Sequence, residues 1–426
     1  MYLSYYSNEW SIGRSQIPEH YWDTDAEKMS YRLELFVYNI EVDRKKIDVK
    51  GFGGKTDMGS LDLPYNADFW KNLSMPRQEV RKGEELPEKN LKEFLHQHHL
   101  INSLQSELFV KQFTHGYSNL TYLISLEDKE YVLRKPPVGA IKRGHDMSRE
   151  FKVQTAVKNE FSKVPKMFAY SNDEAILGSE FYIMEKVDGI ILNFKEAKHR
   201  AIPVHDYKTI ANTWLDTFTE LHTLDYNSVG LSNLGKPEGY VNRQVTNWGK
   251  QYLKAATQDV PAALEVMQWM QEHQPKTYQH CLIHNDYKYD NVVFKDTSWK
   301  DITAVLDWEM ATLGDPLMDL GTSLGYWTLA SDHDFVKQGI PSPTIFEGNP
   351  IRSEIVTSYS NKSGRDIHNI VFYYAFGLFK IAVIAQQIYY RYSKGLTSDP
   401  RFAHLDKAAE LCCNLALKSI KTNSID

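Results

Sequence analysis

The chain has 426 residues, with 49 Lys and Arg against 55 Asp and Glu, for a formal net charge of −6. At roughly 150 residues per domain, that length suggests two or three structural units. Hydrophobic residues at 42% and charged residues at 24% exclude wholesale disorder, and the acidic balance excludes a dedicated nucleic-acid binder, whose footprint is a basic excess. An anionic substrate stays open, because a local basic cradle can sit on an acidic protein. Cys281, Cys412 and Cys413 supply neither a disulfide framework nor a thiolate metal site of usual spacing.

Residues 1–85 read as an N-terminal extension of undefined role. Short β-like runs (Tyr31 to Ile40, Lys46 to Val49) alternate there with Gly- and Asp-rich turns. The opening MYLSYYSNEWSIGR lacks the basic-then-apolar order of a secretory signal, so the expectation is a reduced, cytoplasmic protein. The charged stretch RQEVRKGEELPEKN reads as a linker, and Pro87 is placed to open a helix from Glu88 to His99.

Residues 86–187 form a small lobe. LFVKQF, LTYLISL and EYVLRK are three β-rich runs joined by THGYSN and by Glu127-Asp128-Lys129, an antiparallel meander. A helix is expected from Ser148 to about Asn159, followed by two more strands, VPKMFAY and SEFYIMEKV. Residues 188–426 are mainly helical: Ile210, Trp214, Phe218 and Leu221 recur at helical spacing and mark a buried face. The longest apolar run, Ile370 to Tyr390, contains Lys380, Gln386 and Gln387. That disfavours a membrane span and predicts a helix buried in a large core. The fold class is α+β: a small antiparallel β lobe with one helix, then a large helical lobe. There is no internal repeat and no low-complexity tract.

The sharpest chemical signal is CLIHNDYKYDNVVF followed by ITAVLDWE. His284, Asp286 and Asn291 form H-x-D-x-x-x-x-N ahead of a short strand, and the next β-run ends in Asp307. Phosphoryl transfer from ATP needs these residue types. One carboxylate orients the attacking hydroxyl and accepts its proton, while an Asn and a second carboxylate hold Mg2+ against the phosphate oxygens. Lys288 is placed to neutralise charge on the transferred phosphate. The bland alternative is a polar loop between two strands, with His284 a satisfied core histidine.

HNDYKYDN with VLDWE and GDPLMDLG resembles the aminoglycoside phosphotransferase and choline kinase superfamily, whose fold is the two-lobed one of protein kinases. The resemblance runs from about Phe113 to Asp406. FTHGYSNLTYLI, EYVLRKPP, RE at 149–150, FYIMEKVDG and FKIAVIAQQIYYRY are similar to one branch, the kinase-like domain found alone in bacteria or fused to acyl-CoA dehydrogenases. The resemblance implies Asp286 as catalytic base and Asn291 and Asp307 as magnesium ligands. It puts Arg134 where other kinases carry a nucleotide-gripping Lys, with Glu150 as its ion-pair partner. Alternation along the strand agrees, since Val132 and Arg134 share a face and Lys135 points away from it. Arg keeps the charge of Lys but not its point geometry. The loop THGYSN, with Gly116, Ser118 and Asn119, would cover phosphates through backbone N–H groups although it lacks G-x-G-x-x-G. Met184, Glu185 and Val187 would meet adenine through the backbone. Asp319 would brace the catalytic loop, a role that competes with plain helix capping by a short acid.

Other motifs are set aside. GFGGKT at 51–56 mimics the end of a Walker A loop, but position 49 is Val and DMGSLDLP cannot start the helix that the site needs. His96, His98 and His99 lack metal-ligand spacing and read as a solvated face, as does DHD at 332–334. RQVTNW lies in the helical insert that walls the acceptor site in this fold. QYLKAATQDV after it is poor in acids, which disfavours a polycationic antibiotic as acceptor. The expected reaction is transfer of the γ-phosphoryl group of ATP to a hydroxyl of a small molecule, with hydroxyacyl-type acceptors suggested by the branch. The rival readings are a non-catalytic pseudokinase and a protein kinase. The second is weakened because GDPLMDLG follows VLDWE directly and leaves no activation segment of D-F-G to A-P-E type. Nothing in the sequence sets an oligomeric state.

Overall fold

A computed structural model describes residues 3–6, 9–12, 77–113, 119–137, 146–397 and 400–426. The chain divides into two units, Met1–Phe69 and Trp70–Asp426. In the first, β1 (Leu3–Tyr6) and β2 (Glu9–Ile12) pair as an antiparallel hairpin. The β-like runs expected at 31–40 and 46–49, and GFGGKT, lie outside the described residues.

The second unit opens on β3 (Arg77–Gln78) and α1 (Glu88–Gln97), followed by β4 (Phe109–Phe113), β5 (Leu120–Leu126) and β6 (Lys129–Lys135). Next come α2 (Met147–Val157), β7 (Met167–Ser171), α3 (Glu174–Leu177) and β8 (Phe181–Glu185). The sheet order is β3-β4-β5-β6-β8-β7, antiparallel throughout. The expected meander is present, with a sixth strand at its edge where the sequence reads as linker. Arg77 and Gln78 are recruited by pairing with Phe113 and Gln112, a contact that no local pattern announces.

Alternation along the strands splits the sheet's two faces. Tyr122, Ile124, Leu133 and Ile183 pack under α1 with Leu91, Phe94 and Leu95. Leu123, Val132, Tyr182 and Met184 pack on the other face with Met147 of α2. Asp146 caps α2 by accepting from the Arg149 N–H at 3.0 Å.

The rest is helical with short ladders: α4 (Phe194–Arg200), α5 (Val204–Thr223), α6 (Tyr240–Ala255) and α7 (Pro261–Glu272). Then come β9 (Cys281–Ile283), β10 (Val292–Phe294), β11 (Ile302–Val305) and β12 (Thr312–Gly314). The chain closes with α8 (Pro316–Gly325), α9 (Asp334–Gly339), α10 (Arg352–Ser363), α11 (Ile370–Ser393) and α12 (Leu405–Thr422). Among the described residues α11 is the one helix long and apolar enough to cross a membrane, and most of it is buried in the core. It crosses α8 backbone to backbone. A Cβ on Gly377 would stand 2.0 Å from the Gly321 carbonyl oxygen, and one on Gly321 would stand 2.1 Å from that of Tyr373. DHD at 332–334 is not simply a solvated face: Asp332 is half-buried and forms an ion pair with the buried Arg352.

Candidate active site

Two short ladders suspend the chemistry-bearing loop. β9 pairs with β12, and β10 with β11, so the segment 284–291 is anchored at both ends by buried strands. The Leu306 N–H donates to the Asn291 carbonyl oxygen at 2.8 Å, which brings Asp307 beside the loop. Asn285 (φ 67°) and Asp307 (φ 68°) both adopt the left-handed conformation, which Asn and Asp tolerate better than other residues with a Cβ.

His284 is a satisfied core histidine and also a positioning group. Its Nε2 lies 2.9 Å from the Leu306 carbonyl oxygen, and its Nδ1 accepts from the Asp286 N–H at 3.3 Å. Those partners require the neutral Nε2–H tautomer, and burial pushes the imidazole pKa down in agreement. Asp319 accepts from the His284 N–H at 2.6 Å and from the Asn285 N–H at 2.8 Å. The acid four residues earlier, Asp315, caps α8 through the Leu317 N–H. The two roles that the sequence left competing for Asp319 are thus divided between the two acids.

The Asp286 carboxylate is tied on one side to Lys288 Nζ at 2.9 and 3.1 Å and on the other to Asn291 Nδ2 at 2.8 Å. Lys288, expected to face a phosphate, forms an ion pair with Asp286 and lies 4.6 Å from the centroid of the Tyr326 ring. Burial pulls the lysine's pKa down, but the attraction of Asp286, its hydrogen bond and the charges of Tyr326 and Asp290 together raise it. Asn291 spends its amide N–H groups on Asp286, and its Oδ1 takes part in neither bond.

Across the cleft, Arg134 forms a bridge. Its Nη1 donates to Glu150 at 3.0 and 3.2 Å, and its Nη2 to Asp307 Oδ1 at 2.9 Å. Lys135 points to the opposite face, where Nζ bonds the Leu177 carbonyl oxygen at 2.5 Å. Glu150 is fully buried; burial drives its pKa up while Arg134 pulls it down. For Asp307 burial raises the pKa, but the Arg134 charge and hydrogen bond win and hold the carboxyl below its ordinary value. Carboxylate oxygens of Glu150, Asp307 and Glu309 lie within 4.8 Å of one another, a hard-oxygen set suited to magnesium.

One family model, described as the phosphotransferase enzyme family, matches residues 110–340. The chain belongs to the phosphotransferase enzyme family. The chain is 31% identical over 406 residues to mouse acyl-CoA dehydrogenase family member 10, covering 92% of this chain and 36% of that protein. It is 34% identical over 344 residues to rat family member 11, covering 79% and 43%. The chain thus spans less than half of these relatives. Among solved structures, a Ralstonia eutropha protein described as an aminoglycoside phosphotransferase is similar, with TM-score 0.66, 29% identity and coverage of 79% of this chain and 99% of that one. Choline kinase from Cryptosporidium parvum shares the fold, with TM-score 0.50, 13% identity and coverage of 79% and 96%. The kinase-like fold and the branch that includes acyl-CoA dehydrogenase family proteins are as the motifs implied.

Of the residues expected to meet the nucleotide, Gly116 and Ser118 lie outside the described residues. Asn119 donates to Glu309 at 2.9 Å, linking the end of the THGYSN loop to the Asp307 segment. Met184 is buried in β8, paired with Val132. The Glu185 N–H donates to the Lys166 carbonyl oxygen at 2.8 Å, and its carboxylate accepts from the Lys166 N–H at 2.9 Å. Val187 makes no backbone hydrogen bond among the described residues and packs over Ile191, Val293 and Ala304. Arg149, Glu309 and Lys380 were not singled out from the sequence. Arg149 clamps the Ala311 carbonyl oxygen at 2.7 and 2.9 Å; its position in RE and that of Glu309 in DWE were the only local signals. His96, His98 and His99 are exposed. In RQVTNW, Arg243 caps the Lys236 and Glu238 carbonyls while Trp248 is buried.

Proposed function

We propose that this phosphotransferase is an ATP- and Mg2+-dependent kinase that moves the γ-phosphoryl group to a hydroxyl of a small molecule of hydroxyacyl type. The observation that carries this reading is the convergence of Asp286, Asn291 and Asp307 with the Arg134–Glu150 pair at one cleft. Asp286 receives the hydroxyl proton as the acceptor oxygen bonds to the γ-phosphorus and the bond to the β–γ bridging oxygen breaks, releasing ADP. Asn291 and Asp307 would hold magnesium, which when bound would offset charge on the phosphate oxygens. Lys288, on the Asp286 carboxylate, and Arg134, on Asp307, supply fixed positive charge where the phosphates sit. His284 and Asp319 hold the loop, so that Asp286 needs little reorganisation.

The acceptor class rests on the acid-poor wall around α6 and on the relatives' names, since a domain joined to an acyl-CoA dehydrogenase meets acyl thioesters. ADP release with ATP and Mg2+ across hydroxyacyl-CoAs, choline, sugars and aminoglycosides tests the reading, with Asp286→Asn and Asp307→Ala as controls. The expected result is release that depends on a hydroxyacyl acceptor, is lost in both variants, and leaves nucleotide binding intact in Asp286→Asn. Nucleotide binding without turnover across the panel would favour a non-catalytic module. Wild-type turnover in either variant would refute the assigned roles.

A further inference from the structure

Lys380 is buried in the middle of α11, at 2% exposure. No carboxylate of the described residues forms an ion pair with it. Its Nζ donates to the Asn285 carbonyl oxygen at 2.7 Å and lies 3.3 Å from Asn285 Oδ1, with the Trp248 ring centroid 5.8 Å away. A cation taken out of water without a counter-ion destabilises a fold, so a packed hydrophobic side chain there would serve the core better. Burial pushes its pKa down to about 8, against the pull of Asp319 and Asp286.

What Lys380 holds is the residue just before Asp286. The Asn285 N–H is taken by Asp319 and its carbonyl by Lys380. Its Nδ2 reaches the Met310 carbonyl oxygen at 3.1 Å and the Tyr240 hydroxyl at 3.3 Å. Asn285 is thus fastened to α8, α11, α6 and the segment after Asp307 while it sits in the left-handed conformation. Asp319 and Lys380 can meet on one residue because α8 and α11 touch at Gly321 and Gly377, where no Cβ separates the backbones.

We propose that Lys380 is a positioning residue for phosphoryl transfer. With Asp319 it clamps the Asn285 backbone from both sides and sets the direction in which Asp286 presents its carboxylate. This rests on the kinase reading for its catalytic consequence, but the clamp itself can be measured without turnover. Two variants separate the possibilities. Lys380→Met keeps bulk and removes the charge and the donor. Lys380→Gln also removes the charge but leaves a polar side chain, one atom shorter, beside the Asn285 carbonyl.

The readouts are melting temperature, amide exchange in the peptide spanning residues 281–292, nucleotide affinity and turnover. Lys380→Met is expected to melt at or above the wild-type temperature. Its loop should nevertheless exchange about tenfold faster, and turnover should fall about 10–100-fold with nucleotide affinity unchanged. A role confined to the fold predicts the opposite pairing: a lower melting temperature, with loop exchange and turnover per folded molecule unchanged. That pairing, or wild-type loop exchange in Lys380→Met, would overturn the proposal. Should Lys380→Met fail to fold, Lys380→Gln decides: faster loop exchange supports the clamp and wild-type exchange removes it. Loop exchange decides even if no acceptor in the panel supports turnover, so the clamp and the kinase reading can fail separately.

Discussion

The Arg134 bridge lends itself to a quantitative test. Replacing Arg134 with Met removes both bonds to Glu150 and the one to Asp307. Asp307 retains partial solvent access, with its side chain 32% exposed. Glu150 is fully buried and is left with the Tyr182 hydroxyl as its partner. Stranding a buried charge by deleting its partner costs about 3–5 kcal/mol. For a unit of roughly 350 residues, with unfolding entropy near 2.1 cal/mol/K per residue, that is a fall of about 4–7 °C in Tm. The second variant, Arg134→Met with Glu150→Gln, removes the stranded charge while keeping an acceptor for Tyr182. It should recover at least half of the lost Tm, whereas ATP turnover should stay depressed in both, since neither restores the cation. Thermal denaturation of the wild type, both single variants and the double variant closes the cycle. An unchanged Tm in Arg134→Met, or no recovery in the double variant, would refute the claim that Glu150 depends on Arg134 for its buried charge.

Two further predictions concern the helix crossing and the buried lysine. Gly377→Ala places a methyl 2.0 Å from the Gly321 carbonyl oxygen. No rotamer relieves a clash between backbones, so α8 and α11 must separate at a cost of about 1–3 kcal/mol or more. A lower Tm together with reduced turnover is expected, because Asp319 and Lys380 ride on those helices; an unchanged Tm would refute the contact. For Lys380 the folded pKa of about 8 lies below the ordinary 10.5. Between those values the unfolded chain binds more protons, so stability rises with pH across that window, and below pH 8 the full penalty of about 3 kcal/mol applies. The Tm advantage of Lys380→Met over wild type should therefore be largest at pH 7 and shrink between pH 8 and 10; a gap independent of pH would take the lysine's charge out of the account.

The spacing of His284, Asp286, Asn291 and Asp307 was legible in the sequence because those residues sit on one loop and at the end of the strand pair that follows. Loop length and strand period place them locally. Strand alternation likewise separated Arg134 from Lys135, and the family resemblance, not any local pattern, pointed to Glu150 at the start of α2 as the arginine's partner. What the sequence left open was settled by contacts between elements far apart in the chain. Asp315 and Asp319 are both short acids at a helix start, and only the approach of β9 makes one a cap and the other a brace. Lys288 reads as a free phosphate ligand until the folded loop places it against Asp286. Lys380 reads as a charge interrupting an apolar helix, and its partner at Asn285 is unreachable by any periodicity. Its reach depends on how closely α8 and α11 cross, which in turn depends on Gly321 and Gly377 facing each other. Period and propensity act over a few residues, whereas these bonds are set by the depth of helix packing, a property of two surfaces together.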